Sequence, residues 1–326
     1  MPAEPGATGV IHDLGYRRYD GPRLGRGHIT AALAWHSFRA AFGFGRGAKA
    51  KVVPVIAFLA LCLPAVVNAF AMSRGNPRLV GYDTYQPILR NLVMTVFVAV
   101  QAPELVSRDL RSRVLPLYFS RPIRTIDYPL AKCVAFTAAC LVMIDVPVLL
   151  LYFGTIVNVH GGAAVWAQTK ALIPGLLVGL MWSVVLAAIS LFIASLTGRR
   201  AFATGAVAIF FLLTYTLAEI LLQVENSPAG GFGPGGGPGG GPVKVGPGGA
   251  LPPLPPLSVG EKVSGLLSPF TLFDGVRMWL GGRGAELADN VPHIGAFGAV
   301  YALVLVVITA LCLAGLAARY RKARLS

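Results

Sequence analysis

The sequence predicts an all-α integral membrane protein with six transmembrane helices and both termini in the cytoplasm. Of its 326 residues, 55% are hydrophobic and only 13% are charged, whereas charged residues make up about 25% of a typical soluble domain. The mean hydropathy is +0.67. The formal net charge of +14 is explained by basic segments at a membrane surface, so we expect no nucleic-acid partner.

Six apolar runs are long enough to cross a bilayer as helices, which takes about 20 residues. They lie at about 52–72, 87–106, 131–153, 171–196, 202–222 and 294–317. The second run is the weakest, because Arg90, Asn91 and Gln101 interrupt it. The chain therefore divides into an amino-terminal segment (1–51), five spans (52–224), an extracellular loop (225–293) and a last span with a basic tail (294–326).

The distribution of Lys and Arg sets the predicted orientation. With the amino terminus in the cytoplasm, most of the 28 Lys and Arg residues fall on the inner side, as expected for short cytoplasmic loops. Even the short turn Gly198-Arg199-Arg200 is basic. Adding or removing one span would put basic clusters on both sides of the membrane.

Before the first span, residues 29–44 predict an amphipathic helix. Its Trp35, Phe38 and Phe42 recur at near-helical spacing, while Arg39 lies toward the other side. An Arg-bearing helix with aromatic residues on one face suits the headgroup plane of a membrane. A helix packed on the surface of a partner would show the same pattern.

The extracellular loop combines two kinds of sequence. Residues 229–256 are mainly Gly and Pro, so we expect a disordered insertion, either without specific chemistry or serving as a binding tether. Residues 258–282 are apolar but too broken to span. They predict short helices that lie on the outer face or re-enter the membrane.

The sequence lacks the motifs of an ATP-hydrolysing or metal-dependent enzyme. It has no Gly-x-x-x-x-Gly-Lys-Ser/Thr loop and no His-Glu-x-x-His. Its five histidines are scattered, and its four cysteines all lie inside apolar runs, where small buried residues are the simplest interpretation. We therefore expect no enzyme activity, cofactor or metal in this chain.

Two acidic residues lie within predicted spans. Asp145 sits past the middle of the third, followed by Pro147, and Glu219 lies near the outer end of the fifth. Intramembrane acids are costly and face the bundle interior. Asp145 either lines a substrate route or makes a structural hydrogen bond where Pro147 frees a backbone carbonyl. Glu219 either lines the same route or has an interfacial role near headgroups and water.

The loop 104–127, between the second and third spans, is the most informative segment. It carries Arg108, Arg111, Arg113, Arg121 and Arg124 together with an apolar set, Leu105, Leu110, Val114, Leu115, Leu117, Tyr118 and Phe119. Such a basic loop with its own apolar face predicts a docking element. At its end, Asp127 is well placed as the N-cap of the third span, with Pro129 in the first turn.

These residues resemble the ABC-2-type permeases, the membrane subunits of bacterial ABC exporters. The likeness covers about residues 48–324. Its most specific pieces are Glu104-Leu105-Val106, Arg108-Asp109 and the stretch LPLYFSRP at 115–122, which are similar to the family's post-span helix and its Ser-Pro turn. The stretch LSPF at 267–270 resembles the family's short outer helices, and residues 15–27 resemble the start of actinobacterial members. The Gly/Pro insertion and the strongly basic loop depart from the family pattern.

The resemblance implies that residues 104–124 form a coupling helix in a groove of a separate ATP-binding subunit. The residues in contact would be Glu104, Arg108, Asp109, Leu110, Arg111, Arg113, Leu115, Tyr118 and Arg121. Two ATP-binding subunits, which hold ATP and Mg²⁺, would drive two permease copies, or this chain and a paralogue, in the bacterial cytoplasmic membrane. Trp35, Phe38, Arg39 and Phe42 would belong to a cytoplasmic gate, and Asp145 and Glu219 to the translocation path.

Three other interpretations remain open. The chain could be a non-transporting anchor or assembly factor whose basic loop binds anionic lipid, and such a protein needs no ATP-binding partner. An ion-coupled carrier is disfavoured by the scarcity of intramembrane charges. A membrane enzyme using Asp145 or Asp274 lacks a second convergent group.

Overall fold

The computed structural model describes residues 21, 24–76, 87–111, 118, 123–226, 259–281 and 297–323. Within these ranges the chain is helical and contains no strand. The helices are α1 (Arg26–Ala41), α2 (Lys49–Ser73), α3 (Pro87–Arg111), α4 (Asp127–Val157), α5 (Gly162–Ser195), α6 (Arg200–Asn226), α7 (Val259–Leu267), α8 (Pro269–Gly281) and α9 (Gly298–Ala323). The predicted insertion at 229–256 lies outside the described residues.

Five of these helices are long and apolar enough to cross a membrane: α2, α4, α5, α6 and α9. Each coincides with a predicted span, so the expectation of an all-helical, multi-pass membrane protein is confirmed at this level. The helices are longer than the predicted spans. α5 begins at Gly162 rather than near residue 171, and its 34 residues rise about 51 Å, well beyond the roughly 30 Å of a hydrocarbon core.

α3 occupies the interior of the bundle, where it packs against α6, α5, α2, α1 and α4. Its 25 residues would be long enough to span, but it is not among the five apolar helices. Buried Met94, Phe97 and Val98 share this helix with buried Asn91 and Gln101. Neighbouring helices rather than lipid surround these polar side chains, which is why the helix can be less apolar than the others.

Close contacts between helices depend on small residues. Gly154 of α4 faces Ala69 of α2, and a Cβ at Gly154 would lie 2.6 Å from the Ala69 Cβ. Gly265 of α7 leaves room for Tyr301 of α9, whose hydroxyl donates a 3.0 Å hydrogen bond to the Lys262 carbonyl. These contacts fix the spacing of α2 against α4 and of α7 against α9.

The segment predicted to form short helices contains α7 and α8, separated by Ser268. The Ser268 hydroxyl accepts the Phe270 N–H at 3.2 Å and so begins α8. α8 buries Phe270 and Phe273, and the Phe273 ring stacks on Trp182 of α5 with centroids 4.3 Å apart. α8 is thus packed into the bundle against α5, α6 and α9.

Candidate functional site

The charged residues of the described chain concentrate at one end of the bundle. There α3 and α5 end, α4 and α6 begin, α1 packs across α4 and α3, and the last turn of α9 adds Arg321 and Lys322. We call this region the basic end. It includes the flanks of the loop 104–127, of which residues 112–117 and 119–122 lie outside the described chain.

Glu104 is buried at the basic end and is shared by two arginines. Its Oε2 lies 2.6 Å from Nη1 of Arg46, in the linker between α1 and α2, and its Oε1 pairs with Arg200 at the start of α6. Arg46 also donates to the Gln101 Oε1 at 3.3 Å and to the Ala40 carbonyl. Burial lowers the pKa of the Arg46 guanidinium, and the Glu104 carboxylate opposes that shift. Glu104 therefore ties α3 to the α1–α2 linker and to α6.

Asp109 lies one turn further along α3 and binds two residues of α4. Its Oδ2 accepts a 2.6 Å hydrogen bond from the Tyr128 hydroxyl and lies 2.9 Å from the Lys132 Nζ. All three side chains are buried, and the Tyr128 ring packs on Tyr320 of α9 with centroids 5.0 Å apart. A buried lysine and a buried carboxylate compensate each other here, as buried charges require.

Asp127 is the first residue of α4, and its prediction as the N-cap is wrong. The N-cap is Ile126, which makes no side-chain cap. The Asp127 carboxylate instead points back to α1, where it accepts from Arg26 Nε at 2.6 Å and from Arg26 Nη2, and it also accepts the Arg124 N–H at 2.8 Å. The hydrogen bond to Asp127 raises the pKa of the Arg26 guanidinium.

The residues predicted to contact an ATP-binding subunit separate into three groups. Glu104 and Asp109 are buried within the chain, Arg108 and Arg111 are exposed, and half-buried Tyr118 packs on Tyr128 with ring centroids 5.4 Å apart. The remaining four lie outside the described side chains: Leu110, Arg113, Leu115 and Arg121.

The predicted gate helix is α1, which begins at Arg26 and ends at Ala41, a few residues ahead of the predicted 29–44. Its aromatic residues form a continuous run into the core. The ring centroids of Trp35 and Phe38 are 5.6 Å apart, those of Phe38 and Phe42 5.3 Å, and those of Phe42 and Phe97 of α3 6.3 Å. Arg39 is exposed. One face of α1 is therefore fastened to α3 by aromatic packing, while His28, His36 and Arg39 remain exposed.

A depression lies between α1 and the described part of the loop 104–127. It has a volume of about 280 Å³ and is lined by His28, Ile29, Ala32, Leu33, His36, Tyr118 and Ile123. Tyr118 and Ile123 of the loop thus lie next to α1.

The two predicted path residues lie at different helix interfaces. Asp145 of α4 is half-buried against α5, where Gly179 leaves room for its carboxyl group, since a Cβ at Gly179 would lie 1.8 Å from Oδ1. This buried oxygen accepts no hydrogen bond from any described residue. The expected structural hydrogen bond through Oδ1 is thus not found there.

Glu219 of α6 lies at the opposite end from the basic residues. It lies beside Tyr215 and near the buried Asp274 of α8. Asn91 of α3 is buried beside Tyr215. The predicted path residues therefore do not meet: Asp145 belongs to the α4–α5 contact, and Glu219 to a polar cluster of α3, α6 and α8.

Sequence reasoning missed the partners of the loop residues. From the sequence, Arg46, Lys132 and Arg200 contribute only to the charge distribution that sets the orientation, yet each neutralises a buried carboxylate. The available signal was Lys132 inside the predicted third span (131–153), because a buried charge requires a partner of opposite charge.

Comparison of the chain with protein-family models and with curated proteins gives no match. The described residues contain no group of three or more side chains suited to hold a metal ion.

Proposed function

We propose that the chain is the membrane-spanning permease subunit of an ATP-driven exporter of the ABC-2 type. It pairs with a second permease, forms the translocation pathway between the two, and is coupled through residues 104–124 to separate ATP-binding subunits. α3 serves as the sixth span in this proposal. The basic end faces the cytoplasm of a bacterium, and ATP and Mg²⁺ are bound by the partner, because this chain has no phosphate-binding loop.

The observation that carries the proposal is that both flanks of the loop are fastened inside the bundle. On the α3 side, Glu104 binds Arg46 and Arg200, and the Ser107 hydroxyl donates a 2.8 Å hydrogen bond to the Ala194 carbonyl of α5. On the α4 side, Asp127 binds Arg26 of α1. A loop that merely joined two spans would need no such anchoring.

This anchoring supports a mechanical role. A force applied to the loop reaches α1, α5 and α6 through short ionic and hydrogen-bonded contacts instead of being absorbed by a soft connection. Packed helices move as discrete bodies rather than deforming continuously. ATP-driven closure of two partner subunits would therefore reposition whole helices and alternate the access of the pathway.

The exposed Arg108 and Arg111, together with half-buried Tyr118, supply the surface for that partner. Arginine combined with an aromatic ring is enriched where protein interfaces derive most of their energy. The buried Glu104 and Asp109 position this surface and do not touch the partner themselves.

Purification of the full chain from its native host in mild detergent, with mass spectrometry of what accompanies it, tests the proposal. We expect a soluble P-loop ATPase at about one copy per permease. Replacing Leu110, Leu115 and Tyr118 together by Ala should abolish its recovery while the permease still reaches the membrane.

The matched control replaces Leu303, Val306 and Leu311 by Ala. These residues are equally apolar but exposed along α9, so the ATPase should be retained. Recovery of the chain alone, even after crosslinking, would contradict the proposal and favour a lipid-bound anchor.

A further inference from the structure

The basic end also contains a groove, which shares Arg111 with the surface proposed for the ATP-binding subunit. It has a volume of about 1230 Å³ and lies between the second half of α3 and the start of α6. On the α3 side it is lined by Val100 and Arg111. On the α6 side it is lined by Arg199, which precedes the helix, and by Arg200 and Phe202 in its first turn. From Val100 to Arg111 an α-helix rises roughly 16 Å, enough for a phospholipid headgroup and the first part of an acyl chain.

The mouth of the groove is positively charged. Arg111, Arg199 and Arg200 are all exposed. The Glu104 carboxylate pairs with Arg200 as well as with half-buried Arg46, so these three groups together keep one positive charge, to which Arg111 and Arg199 add two. The start of α6 adds the partial positive charge of a helix amino terminus.

Below this mouth the surface becomes apolar. Phe202, Ile209 and Leu213 of α6 are 65%, 63% and 53% exposed, on a helix apolar enough to cross a membrane. The Arg199 guanidinium lies 5.9 Å from the centroid of the Phe202 ring. A cationic mouth followed by an apolar wall matches an anionic headgroup followed by acyl chains.

We propose that this groove binds an anionic phospholipid of the leaflet that borders the basic end. The lipid phosphate lies among Arg111, Arg199 and Arg200, and an acyl chain follows α6. The planar guanidinium group pairs with phosphate oxygens in a bidentate manner, and basic pockets between spans are known to hold anionic headgroups. The proposal requires neither an ATP-binding partner nor transport.

Gly205 offers a way to close the groove without removing charge. It lines the groove, and a Cβ added there would meet nothing within 4 Å. The Cβ of a leucine at this position therefore lies in open space at the groove wall, and leucine is a better helix former than glycine.

The test uses the full chain in neutral detergent with equal amounts of phosphatidylglycerol and phosphatidylcholine, and mass spectrometry counts the lipids retained per chain. We expect retention of phosphatidylglycerol over phosphatidylcholine. The double variant Arg111→Gln/Arg199→Gln should reduce this preference about 25-fold, at about fivefold per arginine. Gly205→Leu should lose it as well.

The control Arg321→Gln/Lys322→Gln removes the same charge from the exposed last turn of α9 and should change the preference less than about twofold. Equal losses in the control and groove variants would overturn the proposal. Displacement of the lipid by millimolar inorganic phosphate would instead assign a free-anion site. A change in self-association of the groove variants without lipid loss would assign the groove to a second copy.

Discussion

Glu104 shows at the residue scale how one carboxylate can have two unequal partners. The Arg46 side chain is 18% exposed and that of Arg200 is 60% exposed. An ion pair near the surface is screened and contributes about 0–1 kcal/mol, whereas breaking a buried pair costs about 3–5 kcal/mol. The two arginines therefore contribute differently to the stability of the fold.

We predict that Arg46→Gln lowers stability by about 3 kcal/mol and Arg200→Gln by less than about 1 kcal/mol. Arg46→Gln also removes the hydrogen bonds to Gln101 and Ala40, which adds to its cost. The thermal unfolding midpoint of each variant in detergent measures the difference. Equal shifts would show that Glu104 depends on both arginines to the same extent.

The sequence identified the carboxylates of the loop but not their partners. Glu104 and Arg200 are far apart in the chain, and only the packing of α3 against α6 brings them together. The position of Asp127 at the start of a helix predicts an N-cap. In the structure its carboxylate binds the Arg26 guanidinium of α1 instead of capping α4, because a hydrogen bond between two charged groups is stronger than one to a backbone N–H. Local patterns predict local bonds, and tertiary contacts can replace them.

At the scale of helices, hydropathy predicts which residues lie in the hydrocarbon core of a membrane, but not where the helix begins and ends. α5 continues through Gln168, Thr169 and Lys170, ahead of its predicted start. Backbone hydrogen bonding does not stop where side chains become polar. α3 shows the converse: its polar residues are buried by neighbouring helices, so protein contacts rather than lipid determine which side chains it tolerates.

The α2–α4 contact yields a prediction at this scale. Gly154→Ala places a Cβ 2.6 Å from the Ala69 Cβ, so the helices must separate, and overpacking of this kind costs about 1–3 kcal/mol. The double variant Gly154→Ala/Ala69→Gly moves the methyl group to the other helix and should recover most of the loss. Thermal unfolding of both variants measures this.

Gly162→Leu serves as the control for that pair, because a Cβ at Gly162 meets nothing within 4 Å. Its unfolding midpoint should match that of the native chain. Failure of the double variant to recover stability would show that the cost arises at a neighbour other than Ala69, because the helix propensity gained at residue 154 is offset by that lost at residue 69.

At the scale of the whole molecule, α3 decides the topology. α2 runs from the basic end to Ser73, and α3 returns to the basic end at Arg111. If α3 crosses the membrane, Asn76 and His160 lie on one side, and Arg111 and Lys322 on the other. In that arrangement the Lys and Arg distribution predicts that the basic end faces the cytoplasm.

We predict that single cysteines distinguish these arrangements in a background where Cys62, Cys133, Cys140 and Cys312 are replaced by Ala. Asn76→Cys and His160→Cys, at exposed positions, should react with a membrane-impermeant maleimide in intact cells. Arg111→Cys and Lys322→Cys should react only after permeabilisation. Labelling of positions 76 and 111 from the same side would show that α3 does not cross. Labelling of position 322 in intact cells would reverse the orientation, and with it the side from which an ATP-binding subunit could reach the loop.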